Sequence, residues 1–435
     1  MFLLFTLLIF LLKVSECTTC PQKLIAPKRG DSTSGKFYYN ATGLTNCMVQ
    51  FNIPDGYAVQ LSSWKTTNAS ETDVFEMIDT FGDRYNKLKQ DGPLSFLNGQ
   101  VTFSISSPNG SLVIYFIYLY KPLKDLTSIN VPIGSNFYVS SLQEAVYKYQ
   151  SSSNLAISAG PSNSFLSKNI YVYDGKTMVG RLFELMDGND RYYFNGTSLQ
   201  LVKLYHLDDE SRGLVGVNDA KAVQNLTSLS LVPIFLDTVQ HTLPPGSAAT
   251  FVSTISDTVL IQNMEISTVG NGSAYIQGQS PSHHLPILIK YQNDADLNIR
   301  LPQEIPFRTF TVYANDATVT LSVYPADGLE NILTADQPIR KGVIVSNNLW
   351  SGEIGDNDFI IKSKNQFIYN FTIEFETMDF NSIEAYVSVR FGDFEEDPEL
   401  RVTESNRPTG KITGISNAMQ VFIGSISEST DIRLR

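Results

Sequence analysis

The chain has 435 residues and a formal net charge of −12. Length excludes one small domain, and the negative charge disfavours nucleic acid or an anionic membrane as the main partner, because both demand basic patches. A hydrophobic content of 42% excludes global disorder, and charged residues at only 17%, set among abundant Ser, Thr, Asn and Tyr, suit an extracellular β-protein better than a cytosolic enzyme.

Residues 2–12 (FLLFTLLIFLL) are apolar except for Thr6, and Lys13 follows. The run is too short to span a bilayer comfortably and has the length of a signal-peptide core. Ser15 and Cys17 put small residues at −3 and −1, predicting cleavage after Cys17, loss of residues 1–17 and secretion. No later run of eighteen apolar residues exists, and the C-terminal STDIRLR is polar, so neither a transmembrane segment nor a GPI tail is expected. Of Cys17, Cys20 and Cys47, this cut leaves an even pair in an oxidising compartment. A cut after Ser15 leaves all three and three alternative pairings.

In CMVQFNI (47–53), Cys47, Val49, Phe51 and Ile53 share one face while Gln50 and Asn52 share the other, the period of a half-buried strand. Pro54-Asp55-Gly56 supplies turn chemistry, after which Tyr57, Val59 and Leu61 resume the alternation as a second strand. DVFEMID (73–79) follows and ends at Gly82. These residues carry a resemblance. Cys20, then C-x-x-x-x-x-I-P-x-G-Y-x-V-x-L from Cys47, then TDVFEMIDTFG (72–82), is similar to the opening of a CUB domain, and most of all to the CUB-like domains of secreted nematode proteins. It covers residues 20–122. The resemblance implies a Cys20–Cys47 disulfide, contributing roughly 3–4 kcal/mol in the chain-entropy model, and a binding role at epithelial or luminal surfaces in the response to microbes. Two family features are missing: a second cysteine pair, and the late Ser-Asp segment of the calcium site, where SSPNGSL (106–112) stands. Asp73 matches one family ligand and Asp79 lies nearby, but Ca²⁺ needs six to eight oxygens. No metal and no cofactor is therefore expected.

Seven N-x-S/T sequons offer glycosylation sites at Asn40, Asn68, Asn109, Asn195, Asn225, Asn271 and Asn370. Asn109, Asn195 and Asn271 precede glycine, which predicts exposed hairpin tips.

Further along, Val101, Phe103 and Ile105 alternate, and SLVIYFIYLY (111–120) reads as a strand buried on both faces, with SSPNG (106–110) as the hairpin turn between them. Lys121-Pro122 closes the block. In SLQEAVYKYQ (141–150), Leu142, Ala145, Val146 and Tyr149 stand at helical spacing and suggest a short helix. NIYVYDGK (169–176) parallels DVFEMIDTFG, and NGTSLQLVK (195–203) parallels NGQVTFSIS (98–106). Asp79 to Asp174 is 95 positions and Asn98 to Asn195 is 97, so two landmarks suggest a second CUB-like sandwich at 123–238. LPPGSAA (243–249) is linker-like, and alternating strands continue through Ile287–Tyr291, Phe310–Val312, Val319–Val323, Phe371–Phe375 and Ala385–Phe391. The expected architecture is all-β: tandem β-sandwich (CUB-like, jelly-roll type) domains at 20–122 and 123–238, a β-rich domain at 239–326, and a C-terminal β-sandwich-like domain at 327–435.

Catalytic signals are missing. His206, His241, His283 and His284 form no zinc array, and no G-x-S-x-G elbow occurs. The acidic stretches DGND (187–190) and GDFEEDPE (392–399) read as solvated turns. Aromatic faces such as Trp64 stack on sugars, but aromatics in sandwiches mostly fill cores and cross-strand pairs. The reading is a secreted, non-enzymatic binding or adhesion protein with a protein or glycan ligand. The alternative is a secreted hydrolase or carbohydrate-binding protein with accessory β domains.

Overall fold

The computed structural model describes residues 23–28, 32–65, 70–87, 93–110, 112–138, 141–160, 169–204, 213–267, 272–282, 285, 287–294, 296–326, 332–334, 341–346, 357–362, 368–380, 385–392, 399–424 and 430–434. With 62% strand and 6% helix, the fold is all-β.

Strands β1 (Lys23–Ile25), β2 (Thr33–Asn40), β3 (Leu44–Lys65), β4 (Val74–Ile78), β5 (Arg84–Asn86), β6 (Leu94–Ser107) and β7 (Val113–Pro122) pair in the order β2-β7-β3-β6-β4-β5, with β1 parallel on β3. The turn expected at Pro54–Tyr57 is instead a bend inside one long strand. Ile53 pairs with Gly99 and Ala58 with Leu97, so four residues of β3 oppose Asn98 alone. Gly56 (φ 81°) and Gly99 (φ 113°) supply the left-handed backbone that this bend demands. Both long strands bend together and fold the sheet onto itself. The first half of β3 lies with β1, β4 and the end of β6, and its second half lies with β7 and β2. Phe116 enters the resulting core, with ring centroids 5.0 Å from Phe103 and 6.1 Å from both Phe51 and Phe75. SSPNG is no hairpin, because β6 and β7 are not neighbours; it carries the chain between layers.

Next come β8 (Thr127–Asn130), β9 (Asn136–Tyr138), β10 (Ala145–Gln150), β11 (Leu155–Ala159), β12 (Ile170–Asp174), β13 (Thr177–Arg181), α1 (Leu182–Leu185), β14 (Arg191–Tyr193), β15 (Ser198–Lys203), β16 (Leu214–Asp219) and α2 (Ala220–Val223). They form two sheets, β13-β12-β15-β10-β8 and β14-β11-β16-β9. The helix expected within 141–150 gives way to β10, whose Ala145, Tyr147 and Tyr149 alternate into the core between β15 and β8. Tertiary pairing overrides a helical spacing that β-branched and aromatic residues support poorly.

The order β13-β12-β15-β10 repeats β5-β4-β6-β3, antiparallel at every step. Phe75 and Met77 pair with Ile105 and Phe103; Ile170 and Val172 pair with Lys203 and Leu201. The second landmark is therefore displaced by one residue from the Asn-Gly alignment, which would have turned the core side chains of β15 outward. The cause is that Asn98-Gly99 lies in the bend of β6, whereas Asn195-Gly196 precedes β15. Asn195 is also not a hairpin tip, since β14 and β15 belong to different sheets.

A third pair of sheets follows, β17 (Leu229–Ile234), β18 (Val239–Leu243), β19 (Ala248–Ser253), β20 (Val259–Ser267), β21 (Ser273–Gly278), β22 (Ile287–Gln292), β23 (Gln303–Ile305), β24 (Thr309–Asn315) and β25 (Thr318–Pro325). Their orders are β17-β19-β24-β21-β22 and β18-β25-β20-β23. β17, which falls inside the span read as 123–238, pairs in parallel with β19. LPPGSAA is not a linker but a tight turn between β18 and β19, closed by Ser247 N–H donating to the Pro244 carbonyl (3.2 Å) with Gly246 at φ 76°. Beyond it, Asn357–Lys362, Ala418–Gly424 and Tyr386–Phe391 centre a last five-stranded sheet over a smaller core.

Candidate ligand-binding face

The outer layer of the first sandwich, β2-β7-β3, turns one face to the core and one to solvent. SLVIYFIYLY is therefore not buried on both sides. Ile114, Phe116 and Tyr120 face inward, while Tyr115 and Ile117 face out, Ile117 at 42% exposed. Register lines up three aromatics across the three strands: Tyr38 opposes Tyr115, and Tyr115 opposes Trp64. Ring centroids are 4.7 Å apart for Tyr38–Tyr115 (interplanar 74°) and 4.6 Å for Tyr115–Trp64 (35°). Tyr38 is 69% exposed and Trp64 39%. One register step along, Ile117 lies between Lys36 and Ser62. Trp64 thus makes a cross-strand pair and still presents surface. Such a row can seat the C–H face of a sugar or an apolar protein side chain. Sequence reading missed Tyr38, for which the alternation Lys36/Tyr38/Asn40 was the available signal, and nothing local revealed that β7 would bring Tyr115 beside it.

Asp73 precedes β4 and is buried. Its carboxylate accepts Ser107 Oγ (2.7 Å) and the Ser70 N–H (2.7 Å). Burial pushes its pKa up, yet these bonds outweigh it and the net shift is downward. Both oxygens are thus engaged by serines, and among the described residues no group of three His, Cys, Asp or Glu side chains converges anywhere. Asp73 ties Ser70 and Ser107 to the start of β4.

Asp79 serves a different end. Its carboxylate accepts the N–H groups of Phe81 (2.8 Å) and Asp83 (2.9 Å) and pairs with Arg181 Nη2 from the second sandwich. Both side chains are buried, at 0% and 1% exposed. Arg181 Nη1 also donates to Tyr85 Oη (2.7 Å) and Glu184 Oε1 (3.2 Å), and its guanidinium lies 5.0 Å from the Phe81 ring. Burial opposes the charge of Arg181, but Tyr171, Tyr85, Asp79 and Glu184 hold its pKa above the ordinary value. Tyr171 Oη donates to the Ser95 carbonyl (2.9 Å), and Ser95 N–H donates to Asn169 Oδ1 (2.9 Å). The first two sandwiches are joined by this buried polar seam and by an apolar patch of Ala58, Leu97, Tyr171, Val202 and Leu204. No motif announced Arg181, whose partner stands on a distant stretch of chain. Asp174, the sequence counterpart of Asp79, ends β12 only partly buried and makes no comparable pair among the described residues.

Other buried groups also titrate abnormally, Lys203 and Glu304 among them. Burial lowers Lys203 to about 8, against a weaker upward pull from Glu144, and among the described residues its Nζ has no hydrogen-bond partner. Burial raises Glu304 on β23 to about 7. His241 packs edge-on against Phe251 (6.0 Å), and burial lowers its pKa; His206, His283 and His284 lie outside the described residues. Asp190 accepts the Leu229 N–H (2.7 Å), so DGND is tied down at one end, while residues 393–398 lie outside the described residues. Cys47 is buried and Cys20 lies outside the described residues. Asn40, Asn109, Asn195, Asn225 and Asn370 are exposed; Asn68 and Asn271 lie outside. No described helix is long and apolar enough to cross a membrane.

Residues 15–124 match the family model described as CUB-like domain. No curated protein matches the chain. Among solved structures, the CUB1-EGF-CUB2 domains of rat MASP-1 align at TM-score 0.19 and 11% identity, over 47% of this chain and 98% of that one. The corresponding domain of human MASP-1/3 aligns at TM-score 0.18 and 11% identity, over 45% and 97%. The Sulfolobus turreted icosahedral virus structure aligns at TM-score 0.17 and 8% identity, over 68% and 91%.

Proposed function

We propose that this chain is a secreted, non-enzymatic binding or adhesion protein that engages an extracellular protein or glycan through the Tyr38–Tyr115–Trp64–Ile117 face. The observation that carries the reading is that face: aromatics in register on an open sheet, neither buried nor covered by another described element. The CUB-like match over 15–124 supports it, since CUB domains are generally binding modules. Export with loss of residues 1–17, a Cys20–Cys47 bridge, glycosylation at the sequons, and division at 20–122, 123–238, 239–326 and 327–435 belong to the same proposal. So does a role in the epithelial or luminal response to microbes.

The test presents secreted full-length protein to arrays of microbial and epithelial glycans and to intact microbial and epithelial surfaces. Replacing Trp64 and Tyr115 together by alanine should weaken whatever binding is found by about tenfold or more, the range of truncated aromatic anchors. Unchanged binding by a folded double variant refutes the assignment of the face.

A further inference from the structure

We propose that the N-glycan on Asn40 packs its first N-acetylglucosamine against the ring of Tyr38 and closes the outer edge of the aromatic row. The inference rests on export, because sequons are modified only along that route.

Asn40 is the last residue of β2, and Tyr38 stands two positions earlier. Side chains two apart on a strand share a face, roughly 7 Å apart at the usual rise. That is about the width of one pyranose ring. Both residues are exposed, and β2 is the edge of its sheet, so among the described residues no neighbouring strand intrudes.

The attachment point is also held still. Thr42 N–H donates to Asn40 Oδ1 (3.0 Å). A backbone N–H can only donate, so the amide oxygen must face the turn and Nδ2 is left facing away from it. The turn itself is pinned: Ala41 N–H donates to the Leu112 carbonyl (3.0 Å), Leu44 N–H donates to the Ala41 carbonyl (3.0 Å), and Gly43 takes φ 68°. Tyr38 is steadied from its other side by Tyr115 at 4.7 Å. A sugar leaving Nδ2 therefore meets a ring that is already oriented, and its apolar C–H face suits the electron-rich face of the ring. Asn195 also follows a tyrosine, Tyr193, by two positions. There the tyrosine hydroxyl is engaged with the Val223 carbonyl (3.5 Å) and no comparable turn bond fixes the asparagine.

One sugar reaches Tyr38 but not Trp64, which lies two strands further in, roughly 10 Å away. The glycan thus narrows the face without occupying it.

The experiment uses the secreted full-length chain with Thr42→Ala, which removes the sequon but keeps Asn40 and the Thr42 N–H bond to it, with Tyr38→Ala and the double variant, plus Tyr38→Phe to restore the ring. Peptide mapping reads occupancy at Asn40, and amide exchange reads opening of Thr33–Asn40. Loss of the glycan should speed exchange about fivefold when Tyr38 is present and leave it unchanged in the Tyr38→Ala background. Tyr38→Phe should keep the coupling, and trimming the glycan to its first sugar should preserve protection. Additive effects overturn the proposal. A secreted chain modified elsewhere but bare at Asn40 overturns it while leaving the binding reading intact; a chain retained in the cell and unmodified overturns both.

Discussion

Arg181→Ala is the sharpest perturbation available, because one guanidinium serves two sandwiches. Truncation leaves the Asp79 carboxylate, 0% exposed, without its cation. It also strips the donor from Tyr85 Oη and from Glu184 Oε1, and removes the cation lying 5.0 Å from Phe81 and 5.5 Å from Phe96. Removing one partner of a buried ion pair costs about 3–5 kcal/mol, since the remaining charge stays desolvated. Asp79 retains two backbone N–H donors, from Phe81 and Asp83, which places the cost near the lower end, about 3 kcal/mol. Against a domain stability of about 5–15 kcal/mol this is a large loss. Urea unfolding followed by exchange in β4 and β12 should show both strands opening at lower denaturant together. Arg181→Met combined with Asp79→Asn should cost less than the sum of the single changes, because the double variant leaves no orphan charge. A loss below about 1 kcal/mol for Arg181→Ala, or additive single effects, would refute the view that the seam is an ion pair on which both sandwiches depend.

Glu304 holds its proton to about pH 7 in the folded chain against an ordinary 4.5. Between those values the folded state binds more protons than the unfolded one, so stability falls as pH rises, by roughly 3 kcal/mol across the window. Glu304→Gln should flatten that slope in denaturation curves from pH 4.5 to 7, and an identical slope in the variant would defeat the assignment. For Lys203 the sign reverses. Its amine falls to about 8 from 10.5, so the unfolded state binds more protons between those values and stability climbs with pH. Lys203→Met should therefore be more stable than the parent at pH 7; a less stable variant would mean that the amine makes a favourable interaction there.

Strand character was legible wherever alternation was strong: CMVQFNI, DVFEMID and NIYVYDG all form strands, and each turns its alternate apolar residues inward. Connections were not. PDGY carries every local mark of a turn, yet a partner strand bends with it and the pairing continues past it. SSPNG and Asn195-Gly196 carry hairpin chemistry, yet each links different layers, because turn chemistry fixes local backbone and not which strand becomes the neighbour. The candidate face was half visible. Trp64 and Tyr38 lie on recognisable strand faces, but their convergence on Tyr115 is a fact of register between strands distant in sequence. Asp79 drew notice as a carboxylate near a family metal position, and the structure assigns it to Arg181, an arginine in TMVGRLFEL that no spacing rule singles out.

The two bent strands Leu44–Lys65 and Leu94–Ser107 have a mechanical consequence. In a sandwich built from separate strands, one sheet can slide or peel off the other under tension. Here the same two chains of covalent bonds run through both layers, so neither layer can move without dragging its partner. Traction applied along β3 is shared among its hydrogen bonds to β6 and β7 over most of its length, a shearing geometry in which many bonds must fail at once rather than unzip singly. Resistance to pulling along β3 is then written into the first sandwich by its own strand pairing.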